Sequence, residues 1–149
     1  MRRLLPHQLL NALLLCGVVS SCGDKKDDAK PKEHTVEVRF QATAIPSNYM
    51  AQFYVEEDNG SGATTTYMDN PSGTEAHTHQ ASRAKRTGHT IEAMIGISEV
   101  TSGTALPASA SVKADIVVDG AVKQTITVDR NTTADRYGDR EKTMLLTLE

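Results

Sequence analysis

Past residue 33 the chain alternates apolar and polar residues, and no helical period is sustained. In "HTVEVRFQATA", residues 34–44, Val36, Val38, Phe40 and Ala42 share one face. Glu37, Arg39, Gln41 and Thr43 take the other, the pattern of a half-buried antiparallel strand. "MAQFYVEED", residues 50–58, turns Ala51, Phe53 and Val55 inward. "NGSG", residues 59–62, is a hairpin turn, and "ATTTYMD" follows as its β-branched partner. "TEAHTHQASRA", residues 74–84, reads as an edge strand. "GHTIEAMIGISEV", residues 88–100, lines Ile91, Ala93, Ile95 and Ile97 on one face, and "TSGTALPA" forms a loop. A second hairpin turns at Asp119-Gly120. Val112, Ala114, Ile116 and Val118 face inward before it; Val122, Gln124, Ile126 and Val128 alternate after it. Residues 131–141 are a polar loop, and "KTMLLTLE" closes the chain with Met144, Leu146 and Leu148 on one face. Seven to eight short strands at this spacing predict an all-β, Ig-like or Greek-key antiparallel β-sandwich over residues 34–149. No repeat and no glycine-rich phosphate loop interrupts the pattern.

The N-terminus follows a different rule. "MRR" is a positive leader, "LLNALLLCGVV" an apolar core, and small residues follow, which together make an export signal. The apolar run is shorter than the roughly 20 residues of a membrane-spanning helix. Val19, Ser20, Ser21 and Cys22 stand where the signal should be cut. They resemble the lipobox of bacterial lipoproteins: an aliphatic residue, two small residues, then cysteine. The resemblance implies that residues 1–21 are a signal peptide removed before Cys22. It also implies a diacylglycerol on the Cys22 thiol and an amine open to acylation by palmitate. Two or more acyl chains hold a protein stably at a membrane. Cys16 then leaves with the signal, and the mature domain has neither free thiol nor disulfide.

Residues 22–33 are the lipidated cysteine and a charged tether. "GDKKDDAKPKE" holds four acids and four lysines and nothing large and apolar, so it is expected to be a flexible spacer. Lys26-Asp27-Asp28 also resembles the surface-export signals of lipoproteins in the Bacteroidetes group. The expected address is therefore the cell envelope, lipid-anchored at the outer membrane, with the periplasmic and surface sides both open. Composition adds one exclusion. The formal charge is −3, and removing residues 1–21 takes away Arg2 and Arg3 and no acid, giving −5. An acidic domain without a basic stripe is not expected to bind nucleic acid. The roughly 115 remaining residues suffice for one modest core.

The run from "VEVRF" through the "AQFYVEEDNG" hairpin to the "VDG" hairpin and a short last strand resembles the soluble domain of the mycobacterial membrane protein small family. The resemblance covers residues 34–149. It implies a small exported Ig-like sandwich with an accessory role beside envelope transporters.

Candidate chemistry is sparse. Glu75, His77 and His79 are spaced by two, so a strand puts all three on one face. Carboxylate and imidazole suit zinc, copper or nickel, and His89 on the next strand could add a donor. The competing expectation is a polar outer face that binds nothing. No G-x-S-x-G motif is present, and the mature chain has no cysteine nucleophile, so no enzyme and no cofactor are expected. The acids of "DRYGDRE" lack the spacing of a calcium loop. Tyr137 in that loop is a candidate partner contact, since Tyr is favoured at interaction hot spots. The expected function is a lipid-anchored, non-catalytic binding or accessory module whose partner is another envelope protein. The alternatives are a metal or small-ligand carrier using Glu75, His77 and His79, and a structural surface lipoprotein.

Overall fold

The computed structural model describes residues 32–81 and 85–149. Residues 1–21, expected as a signal peptide, Cys22 and the part of the expected tether before Lys32 lie outside the described residues. Eight strands form two four-stranded antiparallel sheets, and no helix occurs among the described residues. The first sheet orders β5 (Gly73–Gln80), β2 (Val36–Ile45), β8 (Ser111–Val118) and β9 (Ala121–Asp129). The second orders β10 (Arg140–Thr147), β7 (Thr90–Glu99), β3 (Tyr49–Asp58) and β4 (Ala63–Asp69). A two-residue pair, β1 (Glu33–His34) with β6 (Lys85–Arg86), lies beside them. Only β3–β4 and β8–β9 are hairpins within a sheet; every other link between the eight strands crosses to the opposite sheet. The all-β sandwich expected from the alternation is what forms.

The core is built from the faces that the alternation picks out. Val36, Val38, Phe40 and Ala42 meet Ala51, Phe53 and Val55 across the interior, with Ile91, Ala93, Ile95, Ile97, Val112, Ala114 and Ile116. Phe40 and Phe53 stack across the two sheets at 4.6 Å between ring centroids, and Tyr67 stacks on Phe40 at 5.7 Å. With no Trp in the chain, this short aromatic stack and Tyr49 supply the largest side chains of a core otherwise made of Val, Ile, Ala, Leu and Met144.

One strand departs from simple alternation. Val122 is 55% exposed rather than inward. The β8–β9 register shifts between Ile116 and Val117, where Gln124 lies opposite Ile116 but Val122 lies opposite Val117. The extra residue, Lys123, makes a β-bulge, and a bulge reverses which face the following side chains occupy. Gln124 then bonds the Leu145 carbonyl of β10 through Nε2 at 3.0 Å, and Lys142 Nζ bonds the Thr127 carbonyl at 2.6 Å. These bonds close the β9 and β10 edges against each other.

The strand directions fix two ends. β2 starts at Val36 beside the tether and runs about 33 Å, at roughly 3.3 Å per residue, to Ile45. The Asp119-Gly120 and 59–62 turns lie at the tether end. The loops at 46–48, 70–72, 100–110 and 130–139 lie at the far end.

Candidate functional site

Two of the places with clustered polar chemistry contain residues singled out in the sequence: the β4–β5 edge and the far-end loop around Tyr137. The first contains Glu75, His77 and His79. They do share a face, and it is the inner one. Glu75, His77 and His79 lie directly opposite Ala42, Phe40 and Val38. Directly opposed residues in an antiparallel pair point to the same side, so the inward faces of β2 dictate inward histidines on β5. The expectation of a purely polar outer face is thereby corrected. The His77 and Phe53 rings meet edge-on with centroids 6.1 Å apart, and His79 stacks on Tyr67 at 5.1 Å.

Each histidine has its own acid. His77 Nε2 is 3.1 Å from Glu75 Oε2 and 3.5 Å from Asp69 Oδ2. His79 Nε2 is 3.2 Å from Glu57 Oε1 and 3.2 Å from Thr66 Oγ1, while Thr66 Oγ1 donates to Glu57 Oε1 at 2.9 Å. With that hydroxyl proton spent on Glu57, both oxygens facing Nε2 are acceptors, so the ring proton of His79 sits on Nε2. A hydroxyl–imidazole–carboxylate relay needs its acid on the other ring nitrogen. Thr66 and Glu57 meet the same one, and the group is a latch. It joins β4, an edge of one sheet, to β5, an edge of the other. Charged groups pointing inward along an edge also discourage pairing with a foreign strand.

Burial and the hydrogen bond to Asp69 push the Tyr67 hydroxyl up to about 12. It therefore stays protonated at neutral pH and keeps donating to Asp69 Oδ2, at 3.1 Å. Among the described residues, no three His, Cys, Asp or Glu side chains are placed to hold a metal ion. His89 contributes nothing here, because its Nδ1 accepts the Arg86 backbone N–H at 3.2 Å within the turn before β7. Glu57 is 5% exposed, and a buried carboxylate that loses a donor is costly. Replacing His79 with Phe keeps the ring stack and removes one donor. Chemical denaturation of that variant should show a loss of about 1–3 kcal/mol.

The second place is the loop from Arg130 to Asp139. Asp135 organises it. Its Oδ1 accepts the N–H of Tyr137 at 2.7 Å and that of Asp139 at 3.0 Å. Its own N–H donates to the Asp139 carbonyl at 2.8 Å. This tight turn holds Tyr137 out, 70% exposed, with the Arg136 guanidinium 4.5 Å from its ring centroid. A side chain held in place before binding loses less freedom when it binds.

Sequence reasoning missed a third group. His34 is buried at the tether end, where Nδ1 meets Asp119 Oδ2 at 2.8 Å and Nε2 meets the Glu149 carbonyl at 3.1 Å. Asp119 Oδ1 takes the Thr35 N–H at 3.0 Å. His34 thus ties the entering chain to the Asp119-Gly120 turn and to Glu149, just past β10. The hydrogen bond from His34, then that from Thr35, holds the Asp119 carboxyl below its usual range. A carboxyl depressed in the folded state contributes stability above its unfolded pKa, about 4, and loses it as pH falls through the lower folded value. Acid unfolding should therefore steepen below about pH 4, and an Asp119→Asn variant should show a shallower acid limb by circular dichroism.

No family model, curated protein or solved structure matches the chain.

Proposed function

We propose that this protein is a lipid-anchored, non-catalytic binding or accessory module of the bacterial cell envelope, held at the outer membrane by acyl chains on Cys22. The single observation that supports it best is the position of the Tyr137 loop. The chain enters the sandwich at one end, at Lys32 and β1, and Tyr137 stands on a braced turn at the other. With Cys22 in the membrane, that arrangement carries Tyr137 and Arg136 away from the anchor on a rigid body. Tyr and Arg are the residue types favoured at hot spots, and rigid scaffolds commonly present binding through loops.

The accessory role accords with the resemblance to the mycobacterial membrane protein small family. The carrier reading has less support, since the three side chains already have polar partners: His77 with Glu75 and Asp69, and His79 with Glu57 and Thr66. A photoreactive residue at position 137, in cells making the full-length protein, tests the proposal. A discrete adduct with one envelope protein is expected, and the same residue at Val122 should not produce it. No adduct at 137, or the same adducts at both positions, would refute the assignment.

A further inference from the structure

The β3–β4 turn brings together the parts of a spontaneous reaction between a side chain and the backbone. Asn59 and Gly60 are both exposed. Asn59 Oδ1 accepts the Ser61 N–H at 3.1 Å. That bond folds the side-chain amide over its own following backbone, with the Gly60 nitrogen inside the ring it closes, and polarises the Cγ carbonyl. The Gly60 N–H donates to Asp58 Oδ1 at 2.7 Å. Gly60 adopts φ +87°, and nothing lies within 4 Å of where a Cβ would stand. Nucleophile, polarised carbonyl and base are therefore adjacent.

We propose that Asn59-Gly60 is a self-modifying site, where the folded turn converts Asn59 to aspartate and isoaspartate with Asp58 as general base. The Gly60 nitrogen gives its proton to Asp58 and bonds to Asn59 Cγ. The tetrahedral centre expels Nδ2 as ammonia, which takes the proton back from Asp58, and a succinimide remains. Water opens the ring at one carbonyl to give aspartate, or at the other to give isoaspartate with its main chain running through Cγ. The net change is one water consumed and one ammonia released. A positioned base of this kind accelerates proton transfer without needing hydroxide.

The consequence falls on β4, whose sole neighbour within its sheet is β3. Isoaspartate lengthens the turn by one backbone methylene and places a new carboxylate beside Asp58. It thereby loosens the edge strand that carries Thr66 and Tyr67 into the latch. This chemistry is independent of the anchor and of any partner.

The test follows the purified full-length protein over days, by peptide mass and isoaspartate content. Conversion should concentrate at Asn59 over Asn48, Asn70 and Asn131. Its rate should stay level from mildly alkaline to neutral pH, and an Asp58→Asn variant should slow it several-fold. Three results would overturn the proposal: conversion at Asn59 no faster than at Asn131, a wild-type rate proportional to hydroxide, or an Asp58→Asn variant at least as fast as wild type. The wild-type pH profile decides the matter even if the variant folds poorly.

Discussion

Replacing Phe53 with alanine is expected to lower the unfolding free energy by about 3–5 kcal/mol, the range for deleting a buried aromatic ring. Phe53 is 1% exposed and stacks on Phe40 from the opposite sheet. Its removal opens a cavity where the two sheets meet and strips Phe40 of a face-to-face neighbour. The same ring also packs edge-on with His77, so the His77–Asp69 contact between β5 and β4 should loosen as well. Against the roughly 5–15 kcal/mol that holds a typical domain together, this is a large fraction. The thermal midpoint should fall by roughly 12–20 °C, at about 4 °C per kcal/mol. Phe53→Leu, which keeps part of the volume, should cost less. Calorimetry of the two variants checks both. A Phe53→Ala midpoint within a few degrees of wild type would mean that the stack is not the centre of the core.

Replacing Cys22 with alanine has the largest expected effect on location. The proposed anchor is covalent and sits on one atom, the Cys22 thiol. Each buried methylene of an acyl chain contributes about 0.8 kcal/mol, and two or more chains hold a protein stably. Without the thiol there is no site for the lipid. The Cys22→Ala protein should therefore move from the membrane fraction to the soluble fraction after export. Its sandwich should still fold, because all of its core lies at Val36 or beyond. Fractionation with an epitope after Glu149 reads the result. Retention in the membrane would mean that something other than Cys22 holds the protein.

The strand faces were legible because alternation is a local property. Val36 to Ala42, Ala51 to Val55 and Ile91 to Ile97 all point as their spacing implies. Alternation also placed Glu75, His77 and His79 together. It could not say which side they face, because that depends on their pairing with Phe40 and its neighbours on β2. Val122 misled the pattern because one bulged residue, Lys123, reverses the parity. His34 gave no local sign at all. Its partners lie 85 and 115 residues away, and no spacing rule reaches that far. Tyr137 was legible as a loop residue. The brace that holds it out belongs to Asp135, whose role depends on backbone N–H groups that the sequence does not display.

In the proposed anchoring, Cys22 begins the mature protein and carries its lipid. Intact-mass analysis of the protein recovered from membranes, with sequencing of its first peptide, tests this most directly. The expected result is a chain that starts at Cys22 and carries the added mass of a diacylglyceryl group, with or without a further acyl chain. A mature chain that starts elsewhere, or an unmodified Cys22 thiol, would contradict it.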